Sequence, residues 1–524
     1  MPKVLIADEL SPAAVEIFAR RGIETDVKVG LSREQLLQVI GMYEGLAVRS
    51  ATKADREVIA AASRLRVIGR AGIGVDNIDI PAATARGIVV MNTPFGNSIT
   101  TAEHAIALLF AVARQLGEAN ASTQAGKWEK ERFMGVELHG KTLGVIGCGN
   151  IGALVAERAL GLKMKVIAFD PFLSPERALA LGVEKAELDE LLSRADAITL
   201  HTPLTDLTRN IISAEALART RRGVIIINAA RGGLVDEGAL RAALDSGHVA
   251  GAGFDVFTRE PARENVLFGA RNFIATPHLG ASTIEAQEKV ALQVAAQMSD
   301  YLLAGAVTNA LNMPSISAEE APRLTPFVSL AERLGLFAGQ LASADLEGIE
   351  VAFEGEVARL NTRPLTAAAL AGIIRPLLPD VNIVSAPAVL KEKGTPLTES
   401  RHDVVSAYGS LIRIGVRSGG EWHRVAGTVQ GGAPRIVEVK GMALEGAFLP
   451  VMLYVNNSDS PGFIGALGTI LGQARINIAT FHLGRLGPGE DAVAIVGVDQ
   501  VVPEDVQEQL RRLPQVRVVR VLRF

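Results

Sequence analysis

The short apolar run Thr142–Ile146 ends in Gly147-Cys148-Gly149-Asn150-Ile151-Gly152, passes into a helical pattern over Ile151–Leu162, and is followed by a second run, Lys165–Phe169, that closes on Asp170. Few folds accommodate that order. Glycines alone say little in a chain that holds 52 of them. Strand, glycine turn, helix, strand and acid in succession, with Asp170 placed 23 residues after Gly147, form a dinucleotide-binding fingerprint. Gly147 permits the tight turn, Gly149 lets a pyrophosphate approach the backbone, and Gly152 lets helix and strand touch. The helix start offers free N–H groups to the phosphate charge. Asp170 is expected to accept hydrogen bonds from an adenosine ribose. Pro171 and Phe172 follow it with no adjacent arginine to meet a 2′-phosphate, which favours NAD over NADP. A glycine-rich turn in an unrelated α/β domain is the plain alternative. Cys148 reads as a small buried filler, since no histidine stands near it in sequence.

The same alternation of apolar runs and helical patterns occurs twice. Val4–Ala7, Gly45–Val48, Val67–Arg70 and Ile88–Asn92 read as strands of one parallel sheet, with helices such as Ser32–Ile40 and Asp55–Ala62 between them. A long apolar helix, Thr101–Leu116, leads to a second set: Thr142–Gly147, Lys165–Asp170, Ala197–Thr199, Val224–Asn228 and Ala250–Phe254. The expected fold class is therefore α/β, with two doubly wound, Rossmann-like parallel sheets. The helical stretch after Ser282 comes too late to extend the second sheet and is expected to return to the first domain. That makes residues 1–97 plus 284–304 one discontinuous domain and 98–283 the cofactor domain. The final stretch reads strand (Pro450–Asn456), helix (Gly462–Gln473), strand (Ile476–Leu483), strand (Ala492–Val498), helix (Pro503–Leu513), strand (Val516–Phe524), the βαββαβ order of a ferredoxin-like unit. An α+β domain over 317–447 lies between, with a helix at Leu324–Leu341 and strands such as Ile349–Phe353 and Leu411–Val416. A chain of 524 residues is too long for one core, so several domains are required.

Composition excludes several classes of partner. A formal net charge of -4 without basic clusters argues against nucleic acid and anionic membranes. No apolar run reaches the ~18 residues of a membrane span. The one cysteine rules out an internal disulfide and a Cys-based zinc site, and suits a reducing compartment, with the cytoplasm expected. No metal site is expected.

Three polar segments follow apolar strands of the second sheet: Asn228-Ala229-Ala230-Arg231-Gly232-Gly233, Asp255-Val256-Phe257-Thr258-Arg259-Glu260-Pro261 and Thr276-Pro277-His278-Leu279-Gly280. Ligands collect at the C-terminal ends of parallel strands, so Arg231, Glu260 and His278 could share one crevice. A 2-keto acid accepting hydride needs a planar cation for its carboxylate, which Arg231 supplies. It also needs a proton as the alkoxide forms. His278 is the natural general acid, with Glu260 stabilising its imidazolium. Singly, each residue has a duller role: a turn cap, a solvated charge, a core histidine. His201 is expected to line the cofactor pocket rather than to move protons.

On these residues the chain resembles the D-2-hydroxyacid dehydrogenase family, in particular its long branch acting on 3-phosphoglycerate. Val48-Arg49-Ser50-Ala51-Thr52, Gly69-Arg70-Ala71-Gly72-Ile73-Gly74-Val75-Asp76-Asn77, Met91-Asn92-Thr93-Pro94 and Ala230-Arg231-Gly232-Gly233-Leu234-Val235-Asp236 carry the likeness as well. It implies NAD-dependent oxidation of 3-phosphoglycerate, with Arg231, Glu260 and His278 in the family's catalytic positions. It further implies substrate phosphate at Arg49 and carboxylate on the backbone N–H groups of Ile73 and Gly74. Arg70 and Asn97 are candidates for the same pocket, and Lys130 for reaching it from a second subunit. Implied cofactor contacts beyond the fingerprint glycines are Asn150, Ile151, Thr202, Ala229, Asp255 and Gly280. Rival readings are a hydroxypyruvate or glyoxylate reductase of the same fold, and a non-enzymatic NAD-sensing corepressor. The extra C-terminal domains argue against the first.

Asn457-Ser458-Asp459-Ser460-Pro461-Gly462-Phe463-Ile464-Gly465 with Arg475-Ile476-Asn477-Ile478 resembles an ACT domain over 448–524, implying L-serine as effector held by Asp459 and Asn477 between paired domains. A module used only for oligomerisation is the alternative. Residues 317–447 resemble the intervening, allosteric substrate-binding domain of the long dehydrogenases, with Ser385 where the family usually has Asn. The implied assembly is a homotetramer.

Overall fold

The computed structural model describes residues 1–342, 345–403 and 408–524. By contacts they fall into two units: residues 71–74 with 93–293, and residues 1–70, 75–92 and 294–524.

The unit holding residues 93–293 is built on a seven-stranded sheet in the order Phe273–Ala275, Val249–Phe254, Val224–Asn228, Ala197–Leu200, Thr142–Ile146, Lys165–Phe169, Glu184–Lys185. Every neighbour pair is parallel. Chain order reverses between Thr142–Ile146 and Ala197–Leu200, which pair Leu143 with Ala197. Such a switch point opens a ligand crevice beyond the strand ends. Both faces are covered, and that explains the unbroken apolar run Val224–Asn228. Ile225 and Ile227 enter the core on one side with Leu108 and Val112, while Ile226 joins Ile198 and Phe254 on the other. Helix Ser98–Ala113 lies close on the sheet: a Cβ on Gly253 would come within 3.2 Å of Leu108 and Val112. This helix ends earlier than its apolar pattern suggests, because Gln115 adopts a left-handed conformation (φ 51°) and starts a new helix, Leu116–Gln124.

The other unit contains three sheets. The first, parallel throughout, runs Glu24–Val27, Lys3–Ile6, Gly45–Val48, Val67–Arg70, Val89–Met91. From Val294 onward, helix Ile284–Ala304 lies on it, with Met298 so near that a Cβ on Gly69 would sit 2.3 Å from its sulfur. The second sheet is mixed: Leu397–His402, Gly348–Gly355, Ser410–Ser418, Glu421–Gln430, Ala433–Val439, Met442–Ala447. Only its first pair is parallel. Helices Ala321–Leu341 and Arg363–Ile374 accompany it, touching backbone to backbone at Gly335 and Gly339. The last sheet has the order Ile478–Arg485, Asp491–Val498, Val451–Ser458, Val516–Arg523, all antiparallel, with helices Phe463–Gln473 and Glu504–Arg511. This is the ferredoxin-like βαββαβ unit. Gln340 ties the two C-terminal sheets by paired hydrogen bonds with the backbone of Arg523, beside a Phe337, Phe448, Tyr454 and Phe524 cluster.

In the two parallel sheets the strands absent from the sequence reading are Glu24–Val27, Glu184–Lys185 and Phe273–Ala275, all at sheet edges. An edge strand is half solvated and lacks a continuous apolar run. Among the described residues no helix is long and apolar enough to cross a membrane.

Candidate active site

The fingerprint turn uses its three glycines differently. Gly147 has φ 89°, and a Cβ there would lie 2.7 Å from the His201 backbone, so the turn packs directly on His201-Thr202. A Cβ on Gly152 would fall 1.9 Å from the Gly147 carbonyl oxygen. Gly149 is different, since among the described residues, apart from its chain neighbours, nothing lies within 4 Å of the position its Cβ would take. The protein's own close contacts therefore account for Gly147 and Gly152, while the space at Gly149 is free for a ligand. Helix Asn150–Gly161 starts there without a side-chain cap, leaving its first N–H groups for an anion. Asp170 Oδ2 accepts from the Cys148 N–H at 2.8 Å, and Oδ1 from that of Phe172. These residues fit a dinucleotide. Thr202 and Ala229 follow the neighbouring strands. Burial pushes the His201 pKa down to about 3, keeping it neutral. Burial likewise pushes the Cys148 thiol up, as suits a filler.

Past strand Val249–Phe254 the chain brings Glu260 and His278 together. His278 Nδ1 lies 2.7 Å from Glu260 Oε2. That hydrogen bond outweighs burial and raises the His278 pKa, with the nearby Arg231 charge opposing. Burial resists ionisation of Glu260, yet the bonds from His278 and the Phe257 N–H win and hold its carboxyl below the usual range. Arg231 stands on the turn after Val224–Asn228, where Asn228 Nδ2 donates to its carbonyl and Gly232 lets the Phe257 carbonyl approach. The sequence-expected trio is thus brought together in one unit. His278 itself has φ 58°, a left-handed conformation that costs roughly 1 kcal/mol or more in a non-glycine residue. Its N–H donates to the carbonyls of Asp255 and Thr276.

Asp255, expected beside the nicotinamide, is almost fully buried. Its carboxylate accepts from the Thr276 hydroxyl (2.6 Å) and the N–H groups of Leu279 and Gly280 (2.7 Å each), and lies 3.2 Å from His104 Nε2. Burial alone would raise its pKa; these bonds, led by that from His104, bring it below the usual value. Asp255 and Gly280 thus hold the loop that carries His278. Sequence reading missed His104 and Thr276 altogether. The one available signal was polarity on an apolar helix, His104 following Glu103 within Thr101–Leu108.

Among the substrate candidates, Ile73, Gly74 and Asn97 belong to the unit with the trio, and Asn97 Oδ1 is buried without a hydrogen-bond partner. Arg49 and Arg70 belong to the other unit, where Asn77 connects them: its Oδ1 accepts from Arg70 Nε and its Nδ2 donates to the Arg49 carbonyl. Lys130 is exposed in a short helical turn, Lys130–Arg132. The effector candidates are not joined to each other. Asp459 accepts from Arg485 at 2.8 Å, and Asn477 donates to Asp499 at 2.7 Å. Among the described residues no cluster of His, Cys, Asp or Glu is suited to a metal ion.

Residues 106–280 match the D-isomer specific 2-hydroxyacid dehydrogenase NAD-binding domain, and residues 323–440 match the D-3-phosphoglycerate dehydrogenase intervening domain. A D-3-phosphoglycerate dehydrogenase of Archaeoglobus fulgidus is 43% identical over 98% of both chains. The chain belongs to the D-3-phosphoglycerate dehydrogenase family. The Methanocaldococcus jannaschii member is 41% identical over 100% of both chains. Among solved structures, a glyoxylate reductase from Paecilomyes thermophila is similar over 59% of this chain and 98% of its own, with 32% identity and a TM-score of 0.55. Relatives of full length share the C-terminal domains that this shorter reductase lacks, which separates the chain from the reductase reading.

Proposed function

We propose that the chain uses NAD to oxidise 3-phosphoglycerate to 3-phosphohydroxypyruvate, the step that commits carbon to L-serine. The observation that carries this most is the His278–Glu260 pair at 2.7 Å beside Arg231, on a dinucleotide-binding sheet. NAD, when bound, accepts the hydride from C2 of the substrate. The protein's task is the proton. Because Nδ1 is engaged by Glu260, Nε2 of His278 is the nitrogen that takes the C2 hydroxyl proton, and Glu260 stabilises the imidazolium. Arg231 presents a planar fork to the substrate carboxylate. Arg49 is assigned the phosphate.

NADH formation from 3-phosphoglycerate is the direct test. Arg49→Ala should raise KM about 10-fold or more, with a smaller change in kcat, as expected for loss of a charge-assisted bond to a group remote from the chemistry. An unchanged KM would point to a non-phosphorylated substrate.

The raised His278 pKa also sets the pH dependence. Oxidation requires the neutral imidazole, so its rate rises as pH climbs through the raised value. Reduction requires the imidazolium and falls over the same interval. Glu260→Gln should move both limbs to lower pH, because the group that stabilises the cation is gone. Profiles running in the same direction for both reactions would remove His278 from proton transfer.

We further propose L-serine as effector, bound between paired terminal domains at Asp459 and Asn477 in a tetramer. Serine should slow wild-type turnover and leave Asn477→Ala unaffected, with particle mass measured by light scattering in both. Equal inhibition of the two would place the effector elsewhere.

A further inference from the structure

We infer that His104 is a positioning residue for the acid–base pair, holding the His278 loop in its reactive conformation through the buried carboxylate of Asp255. This rests on His278 being the proton carrier, as proposed above.

Helix Ser98–Ala113 grips the loop at two points on one face. Thr101 donates its hydroxyl to the Gly280 carbonyl at 2.9 Å. Three residues on, and therefore on the same side of the helix, His104 Nε2 lies 3.0 Å from Thr276 Oγ1 and 3.2 Å from Asp255 Oδ1. The direction of these bonds follows from the count of protons. The Thr276 hydroxyl has one, and at 2.6 Å from Asp255 Oδ1 it is given to that carboxylate. An ionised carboxylate only accepts. Nε2 must therefore carry a proton and donate, whichever charge the ring holds. The same Asp255 carboxylate accepts from the N–H groups of Leu279 and Gly280, the two residues after His278.

His278 needs such restraint because its backbone lies in the left-handed region (φ 58°), which non-glycine residues, even the more tolerant histidine, enter at a cost that the surroundings must offset. Removing the His104 donor leaves a buried acceptor underused and frees the loop to relax, which misplaces Nε2 of His278 relative to the reacting hydroxyl. Charges facing His278 are those of Glu260, Asp255 and Arg231, and none of them is altered by the substitutions below.

The test compares His104→Leu with His104→Gln in the full-length enzyme. Leucine fills the space without a donor, and glutamine restores an N–H near the Nε2 position. His104→Leu should lower kcat about 10- to 100-fold, the size of effect that losing an outer hydrogen-bond partner has behind metal-ligating histidines. KM for 3-phosphoglycerate should stay within about 2-fold, because the lost geometry matters in the transition state. NADH affinity, read by fluorescence titration, should be unchanged. His104→Gln should recover most of the loss. Wild-type kcat in His104→Leu, or an equal loss in both variants, overturns the inference in favour of plain space filling. If His104→Leu does not fold, Thr276→Val against Thr276→Ser reads the same link, with serine expected to rescue and equal loss in both overturning it. A wild type that forms no NADH from 3-phosphoglycerate counts against the proposed activity; an active wild type whose kcat survives the change counts against His104 alone.

Discussion

His278→Asn should lower kcat by about 10²- to 10⁴-fold, the usual contribution of a positioned general acid or base, with NADH still bound and the fold retained. Asparagine is chosen for the backbone. At φ 58° it is among the residues that enter the left-handed region most easily, so the loop keeps its path while the titrating ring is lost. Alanine there would confound chemistry with strain. The Glu260 carboxylate keeps its bond from the Phe257 N–H at 3.0 Å and does not become an isolated buried charge. Steady-state rates in both directions, with a thermal melt on the same sample, decide the matter. A kcat within a few-fold of wild type would assign the proton to another group, with His201 a poor candidate because burial disfavours the protonated form it would have to take.

Gly149→Val should abolish tight NAD binding while leaving the apoenzyme folded. Among the described residues, and apart from its two chain neighbours, nothing lies within 4 Å of a Cβ at this position, so the added methyl groups would enter the space the proposed cofactor needs. A loss of about 100-fold in affinity corresponds to about 2.7 kcal/mol. Gly152→Val is the contrasting control. Its Cβ would strike the Gly147 carbonyl oxygen at 1.9 Å, and that variant should melt early or fail to fold. Calorimetric titration with NAD and thermal denaturation separate the two outcomes. Normal NAD affinity in Gly149→Val would move the pyrophosphate away from this turn.

Much of the architecture was readable before any coordinates. Strands buried on both faces, such as Val224–Asn228, are continuous apolar runs because every side chain enters a core. Helix starts were legible where Ser32 and Asp55 cap the helices that follow them. Polar edge strands were not, for the reason seen in Glu24–Val27: a polar sequence pairs by its backbone alone. In the candidate site, the convergence of Arg231, Glu260 and His278 was legible because each follows an apolar strand whose C-terminal end must face the crevice. His104 was invisible because it lies in a different helix, 151 positions from Asp255, and no local pattern relates the two. The bonds that engage the Asp255 carboxylate, from Thr276, Leu279 and Gly280, were not legible either, since they close a loop only in the fold.

Residue order alone settles the dinucleotide turn and the acid that follows it, because these depend on interactions local to one strand–turn–helix unit. It also settles which runs are buried on both faces. Tertiary structure decides which polar groups face one another: that Glu260 reaches Nδ1 of His278 and not Nε2, that Asp459 and Asn477 have separate partners, and that a histidine on a distant helix meets Thr276 and Asp255. Hydrogen bonds act over about 3 Å, and only the folded chain brings groups so far apart in sequence within that range.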